Sequence, residues 1–218
     1  MWSRSVRRAF MKIDLHIHSK YSGDAFNEPR DIIKQAKKAG LDGVAVTDHN
    51  TIKGGEETAR CNSDEDFIVI TGAEIKTDRG EVIGYFLNEE IESRSFEEVI
   101  DAMRDQDALI SIPHPYDLFR SNRIKDPEKA AGSVDAVEVF NSRCLLSSFN
   151  GQALSLSERF SLGATAGSDA HSPEEIGSAG VIIKGERVHE EILRNREYFG
   201  RKNPALLHAK TTLQRLLP

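Results

Sequence analysis

The chain has 218 residues, 39% hydrophobic and 29% charged, with a formal net charge of −6. That length allows one sizeable core, and no run approaches the roughly 20 apolar residues a membrane span needs. The negative balance argues against stable binding of duplex nucleic acid, and two cysteines without a CxxC pair, Cys61 and Cys144, suit a reducing cytoplasm.

Residues 1–11 read as an N-terminal extension, because Met1 to Phe10 carries arginines but no apolar run of a secretory signal. Residues 12–218 are expected to form one domain. The first strand, Lys12–His18, places His16 and His18 at i and i+2, so both point to one face and can grip one cation. The helix Pro29–Ala39 follows, with a stripe of Ile32, Ile33 and Ala36, Pro29 near its start and Gly40 just past its end. Strands are predicted at Gly43–Thr47 and Phe67–Ile75. A hairpin turn around Arg79-Gly80 sends the next strand, Glu81–Leu87, back antiparallel.

Ser95-Phe96-Glu97-Glu98 reads as a capping box opening the helix Phe96–Arg104. The strand Leu109–Ile112 leads into Pro113-His114-Pro115 and then a polar stretch, Tyr116–Ser133, placed where an active-site loop would lie. The strand Ala136–Phe140, helix Phe149–Phe160, strands Gly163–Ala166 and Gly180–Ile183, and helices Val188–Phe199 and Thr211–Leu217 complete the pattern. His189 and His208 fall in polar contexts and are expected in solvent.

Repeated βα units permit a closed barrel or an open sheet. His16, His18, Asp48, His49, Glu74, His114, Asn141, Asp169 and His171 all fall at or just past the C-terminal ends of predicted strands. An open sheet gathers only the ends beside its switch point, whereas a barrel gathers all of them on one rim. An α/β barrel is therefore expected.

Imidazole and carboxylate ligands suit zinc, manganese or iron. Glu74 offers two oxygens to bridge ions, and Asp169 and His171 repeat the i, i+2 arrangement. Two ions about 3.5–4 Å apart would activate a water as hydroxide and stabilise the oxygens of phosphoester hydrolysis. No GxSxG elbow or P-loop competes with that chemistry. Arg120 and Arg143 follow the ends of the His114 and Asn141 strands and are candidates to fork a phosphate. Asp169 or His171 is a candidate proton shuttle.

In this order, His16-Ile17-His18, Thr47-Asp48-His49, Glu74, His114-Pro115 and Gly167-Ser168-Asp169-Ala170-His171 resemble the motifs of the PHP (polymerase and histidinol phosphatase) superfamily. The resemblance runs from about Ile13 to Ile183. It implies a distorted (β/α)7 TIM-like barrel holding two to three divalent metal ions. One ion would take His16, His18, Glu74 and Asp169. Glu74 would bridge to a second ion bound by His114, and a third would take Asp24, His49 and His171.

Many members carry a histidine after the glutamate strand, and within Gly80–Gly84 the resemblance sets Val82 at that place. The second ion is then short of a ligand unless Asn141, a water or a neighbouring carboxylate such as Glu81 fills in. The implied activity is that of a metal-dependent phosphoesterase acting on a small phosphorylated metabolite, a nucleotide or a short oligonucleotide. Two alternatives are an amidohydrolase-like reaction on C–N bonds and a non-catalytic accessory subunit.

Overall fold

A computed structural model of the chain describes residues 10–185 and 187–204. The expected helix Thr211–Leu217, His208 and most of the N-terminal extension lie outside them. The element order is β1 (Met11–Ile17), α1 (Pro29–Lys38), β2 (Gly43–His49), α2 (Lys53–Cys61), β3 (Ile68–Thr77), β4 (Gly80–Tyr85), α3 (Phe96–Arg104), β5 (Leu109–Ile112), α4 (Pro127–Ala130), β6 (Ala136–Asn141), α5 (Ser147–Phe160), β7 (Gly163–Gly167), β8 (Ala179–Ile183), α6 (Val188–Arg194) and β9 (Tyr198–Gly200). Among the described residues, no helix is long and apolar enough to cross a membrane.

One sheet runs β7-β6-β5-β4-β3-β2-β1-β8-β9, so β1 to β7 are neighbours in chain order. The chain beyond β7 then returns to β1. Asp169 N donates to His16 O at 2.7 Å, and His18 N donates to Ala170 O at 3.0 Å. β8 pairs antiparallel with the opposite, N-terminal end of β1, at Met11 to Ile13. The result is a nearly closed, TIM-like barrel, sealed at the rim where the histidines lie and wedged by β8 at the other end. The closure depends on Gly167. A Cβ there would lie 2.2 Å from the Cβ of His16, so any side chain would push β7 off β1.

The regular βα rhythm breaks at β4, which is antiparallel to both β3 and β5. The expected hairpin is present: Thr77 pairs with Gly80, whose φ of +129° is open to glycine and strained for other residues. Side chains alternate across this hairpin. Ile70, Ile83 and Tyr85 pack into the barrel with Ile13, Leu15 and Leu109. Ala73, Ile75 and Val82 pack outward with Phe96, Val99 and Met103 of α3. On α1, Ile32, Ile33 and Ala36 pack against Ile17, Val44 and Val46, as the stripe predicted.

Several expectations are corrected. α2 was missed because Gly54 and Gly55 lower its helix propensity; burial of Gly54, Gly55 and Thr58 holds it. Ser95 makes no side-chain cap on α3; Asp78 Oδ1 accepts from Phe96 N at 2.9 Å instead. The stretch Tyr116–Ser133 is not wholly irregular, since it contains α4 and a 3-10 turn at Ala131–Ser133. The helix expected over Val188–Phe199 ends at Arg194. Asn195 turns extended and its side-chain amide donates to Ala164 O and Glu197 O, which frees Tyr198–Gly200 to pair with β8. His189 does not stand in solvent: it is half-buried, with its ring centroid 5.1 Å from that of Phe86.

Candidate metal centre

The barrel rim brings the sequence-predicted residues together. The end of β1 supplies His16 and His18, the loop after it Asp24, β2 His49, β3 Glu74, the turn after β5 His114, and the segment after β7 Asp169 and His171. His114 and Asp169 adopt φ of +30° and +55°, left-handed values that are costly for residues bearing a Cβ. Both are held there by the surrounding backbone: Asp169 N bonds His16 O, and His114 O accepts from Asp117 N at 3.1 Å.

The donor atoms fall into adjoining groups that share single residues. His16 Nε2 and His18 Nε2 are 3.1 Å apart. Glu74 Oε2 lies 3.7 and 3.5 Å from them, and Asp169 Oδ1 lies 3.7 and 3.3 Å from them. On the other side, Glu74 Oε1 is 2.9 Å from His114 Nε2. A third group joins His18, Asp24, His49 and His171, in which Asp24 Oδ2 is 3.4 Å from Nε2 of both His49 and His171. Glu74 sits at the junction, with Oε2 also 3.0 Å from His49 Nδ1.

The electrostatics follow from this crowding. Burial opposes charge on His16, but the carboxylates of Glu138, Asp169 and Glu74 outweigh it and raise its pKa. Burial likewise opposes charge on His49, and the neighbouring carboxylates of Asp24 and Glu74 raise its pKa to about 11. His18, buried and facing His171 and His49, is lowered to about 3. Glu74 and Asp169 are held well below the usual carboxylate range despite burial, chiefly by His16 and by Arg120 respectively. Among the described residues, Glu74 Oε2 and Asp169 Oδ1, both within 3.5 Å of His18 Nε2, are buried without a hydrogen-bond partner. Buried polar atoms left so in one cluster are the mark of a cation site.

The other expected residues fall as follows. Arg120 reaches from the loop after β5 to pair with Asp169 Oδ2, with Asp117 on its Nε at 3.2 Å. Arg143 Nη1 lies 3.3 Å from Glu175 Oε1, and the carboxylate of Glu175 also accepts from the backbone N of His171 at 2.9 Å. Asp48 does not join the donor groups; its carboxylate accepts from Ser19 N and Ser19 Oγ, both at 2.6 Å. The amide of Asn141 donates to Glu138 and Asp169, and its oxygen accepts from Arg143 N. It holds carboxylates and offers no oxygen to the donor groups.

The place assigned to Val82 is also corrected. Ile75 pairs with Val82 and Lys76 with Glu81, so Val82 lies on the outward face with Ile75, in apolar packing. Glu81 shares the face of Ile83 and Glu74, and its carboxylate groups with His49 and Glu74. Burial, then the charge of Glu74, raises its pKa to about 7. A one-residue shift in register exchanges the two faces of a strand, and here it exchanges an apolar position for a carboxylate that lies beside His49 and Glu74.

Glu138 on β6 is the residue that sequence reading missed. It is 1% exposed and hydrogen-bonds His16, His114 and Asn141. The signal available was a charge inside an apolar strand, Ala136-Val137-Glu138-Val139-Phe140, which reads equally as a solvated face.

The PHP domain family model matches residues 14–206. Two uncharacterized proteins of Methanocaldococcus jannaschii are similar to the chain. One is 45% identical over 146 residues, 61% of this chain and 82% of the relative. The other is 34% identical over 213 residues, 93% of this chain and 85% of the relative. A probable histidinol-phosphatase of Thermotoga maritima is 38% identical over 72 residues, 30% of this chain and 31% of that protein. Among solved structures, a two-domain protein from Bacteroides vulgatus containing a predicted PHP-like metal-dependent phosphoesterase superposes with a TM-score of 0.71 at 20% identity. The match covers 87% of this chain and 64% of that protein, so the chain spans just under two thirds of its length.

Proposed function

The chain belongs to the PHP domain family, and from that premise we propose that it is a metal-dependent phosphoesterase acting on a small phosphorylated metabolite or nucleotide. The observation that carries this reading is Glu74. It is fully buried, one oxygen faces His114, and the other, without a hydrogen bond, faces His16, His18 and His49. That donor set fits two to three divalent ions, with zinc, manganese and iron suited to its imidazole and carboxylate atoms. Bound ions would supply charge that lowers the pKa of water and stabilises a phosphoryl group in the transition state.

The chain's own residues do the rest. Arg120, already beside Asp169, can fork two oxygens of a phosphate seated at the rim. Arg143 approaches from β6 and is steadied by Glu175. His171 is 10% exposed at the mouth, paired with Asp24, and can hold a proton for the leaving oxygen. Two arginines at the rim favour a phosphoester over the C–N bond of an amidohydrolase. The free thiols Cys61 and Cys144 support a cytoplasmic location.

The test is hydrolysis of p-nitrophenyl phosphate, adenosine bisphosphate and a short RNA with Mn²⁺ present. Phosphate or nucleotide release from at least one is expected, and its loss in folded Glu74→Ala. No turnover of any of the three would overturn the reading.

A further inference from the structure

We propose that Glu138 is a positioning residue that sets two ligand groups of the metal centre at once, an inference that rests on the metal-dependent reading above. Its Oε1 accepts from His16 Nδ1 at 2.9 Å. Its Oε2 accepts from the backbone N of His114 at 2.9 Å and from Asn141 Nδ2 at 3.0 Å. Asn141 passes the restraint on, since the same amide nitrogen is 3.2 Å from Asp169 Oδ2.

Each contact fixes something different. An imidazole that donates through Nδ1 presents its lone pair at Nε2. Nε2 is the nitrogen of His16 that faces His18, Glu74 and Asp169. The contact to His114 acts on the backbone. His114 holds a φ of +30°, and a charged acceptor on its N–H helps offset the cost of that conformation. His114 then presents Nε2 to the other oxygen of Glu74. One carboxylate therefore orients a ring in the first donor group and a backbone turn in the second.

A neutral isostere cannot serve both sides. If a glutamine at 138 turns its oxygen to His16, its NH₂ faces two donors, His114 N and Asn141 Nδ2. If it turns the other way, the NH₂ faces the donor nitrogen of His16.

The experiment titrates Mn²⁺ calorimetrically into chelator-treated parent protein and Glu138→Gln, with thermal melting of each metal-free form as a check on folding. The parent is expected to bind at least two ions, and folded Glu138→Gln to bind them about 10- to 100-fold more weakly at both steps. A parent that binds no Mn²⁺ overturns the metal reading itself. A parent that binds, matched in affinity and stoichiometry by folded Glu138→Gln, overturns only the positioning role. Should the variant not fold, the nitrogen-15 spectrum of Zn²⁺-loaded parent decides. It should show the proton of His16 on Nδ1 and the metal on Nε2; metal on Nδ1 would overturn the proposal.

Discussion

His16 Nε2 and His18 Nε2 lie 3.1 Å apart on fully buried rings whose centroids are separated by 5.0 Å. Two imidazole nitrogens aimed at one point, with Glu74 and Asp169 oxygens within 3.7 Å, bring together the four donors that a tetrahedral ion would take. His18 also closes the group made with Asp24, His49 and His171. Replacing His18 by Ala is therefore expected to weaken Mn²⁺ binding on the order of 100-fold or more and to reduce the number of ions held. Elemental analysis of desalted protein beside the parent checks it, and an unchanged ion count would contradict the assignment.

Arg120 pairs with Asp169 directly, and in the proposed reading it would compete with a cation for that carboxylate and fork a phosphate. Arg120→Ala is expected to lower turnover by about 100- to 1,000-fold, the usual cost of losing a donor to a developing oxyanion. The same variant should bind Mn²⁺ no more weakly than the parent, because Asp169 is released. Arg120→Lys keeps the charge without the fork and should recover only a small part of the rate. Steady-state rates and metal titration on one preparation separate the two effects.

The hairpin register makes a sharp distinction between neighbours. Glu81→Ala should lower ion occupancy in the folded protein, because its carboxylate groups with His49 and Glu74. Val82→His should add no ion and should cost about 2–4 kcal/mol of stability, since it buries an imidazole among Ile75, Phe96 and Val99. Metal content and denaturant unfolding of both variants test this. A gain of metal in Val82→His would show that the register is misread.

The pH dependence follows from His49 and His16. In the metal-free chain both have folded pKa values raised above 6.5, that of His49 to about 11. Their contribution to metal-free stability is complete below about pH 6.5 and is lost as the pH climbs toward the folded values. Each proton must leave before its nitrogen ligates. Mn²⁺ affinity should therefore rise about tenfold per pH unit for every proton displaced, as measured by titration from about pH 6.5 to about pH 8.5. An affinity flat across that range would mean these histidines are not ligands.

Much of the rim was legible because it obeys simple periodicities. Strand alternation is enough to pair His16 with His18, and the placement of polar residues at strand ends selects the barrel. What escaped depends on contacts between distant segments. Glu138 looks like a solvated charge until barrel closure buries it beside His16, 122 residues away. Arg143 looks free until Glu175, 32 residues on, meets it. Val82 and Glu81 differ by one step of register, which β4's reversed direction decides and motif spacing does not. The helix α2 hides behind two glycines that burial, not propensity, makes helical.

The most direct test of the metal centre is anomalous scattering from crystals grown with Mn²⁺, recorded at the manganese edge and refined against a count of ions per chain. At least two peaks are expected, one within bonding distance of His16, His18, Glu74 and Asp169 and one shared by Glu74 and His114. Crystals of folded, Mn²⁺-soaked protein with no anomalous peak at Glu74 would contradict a metal centre there.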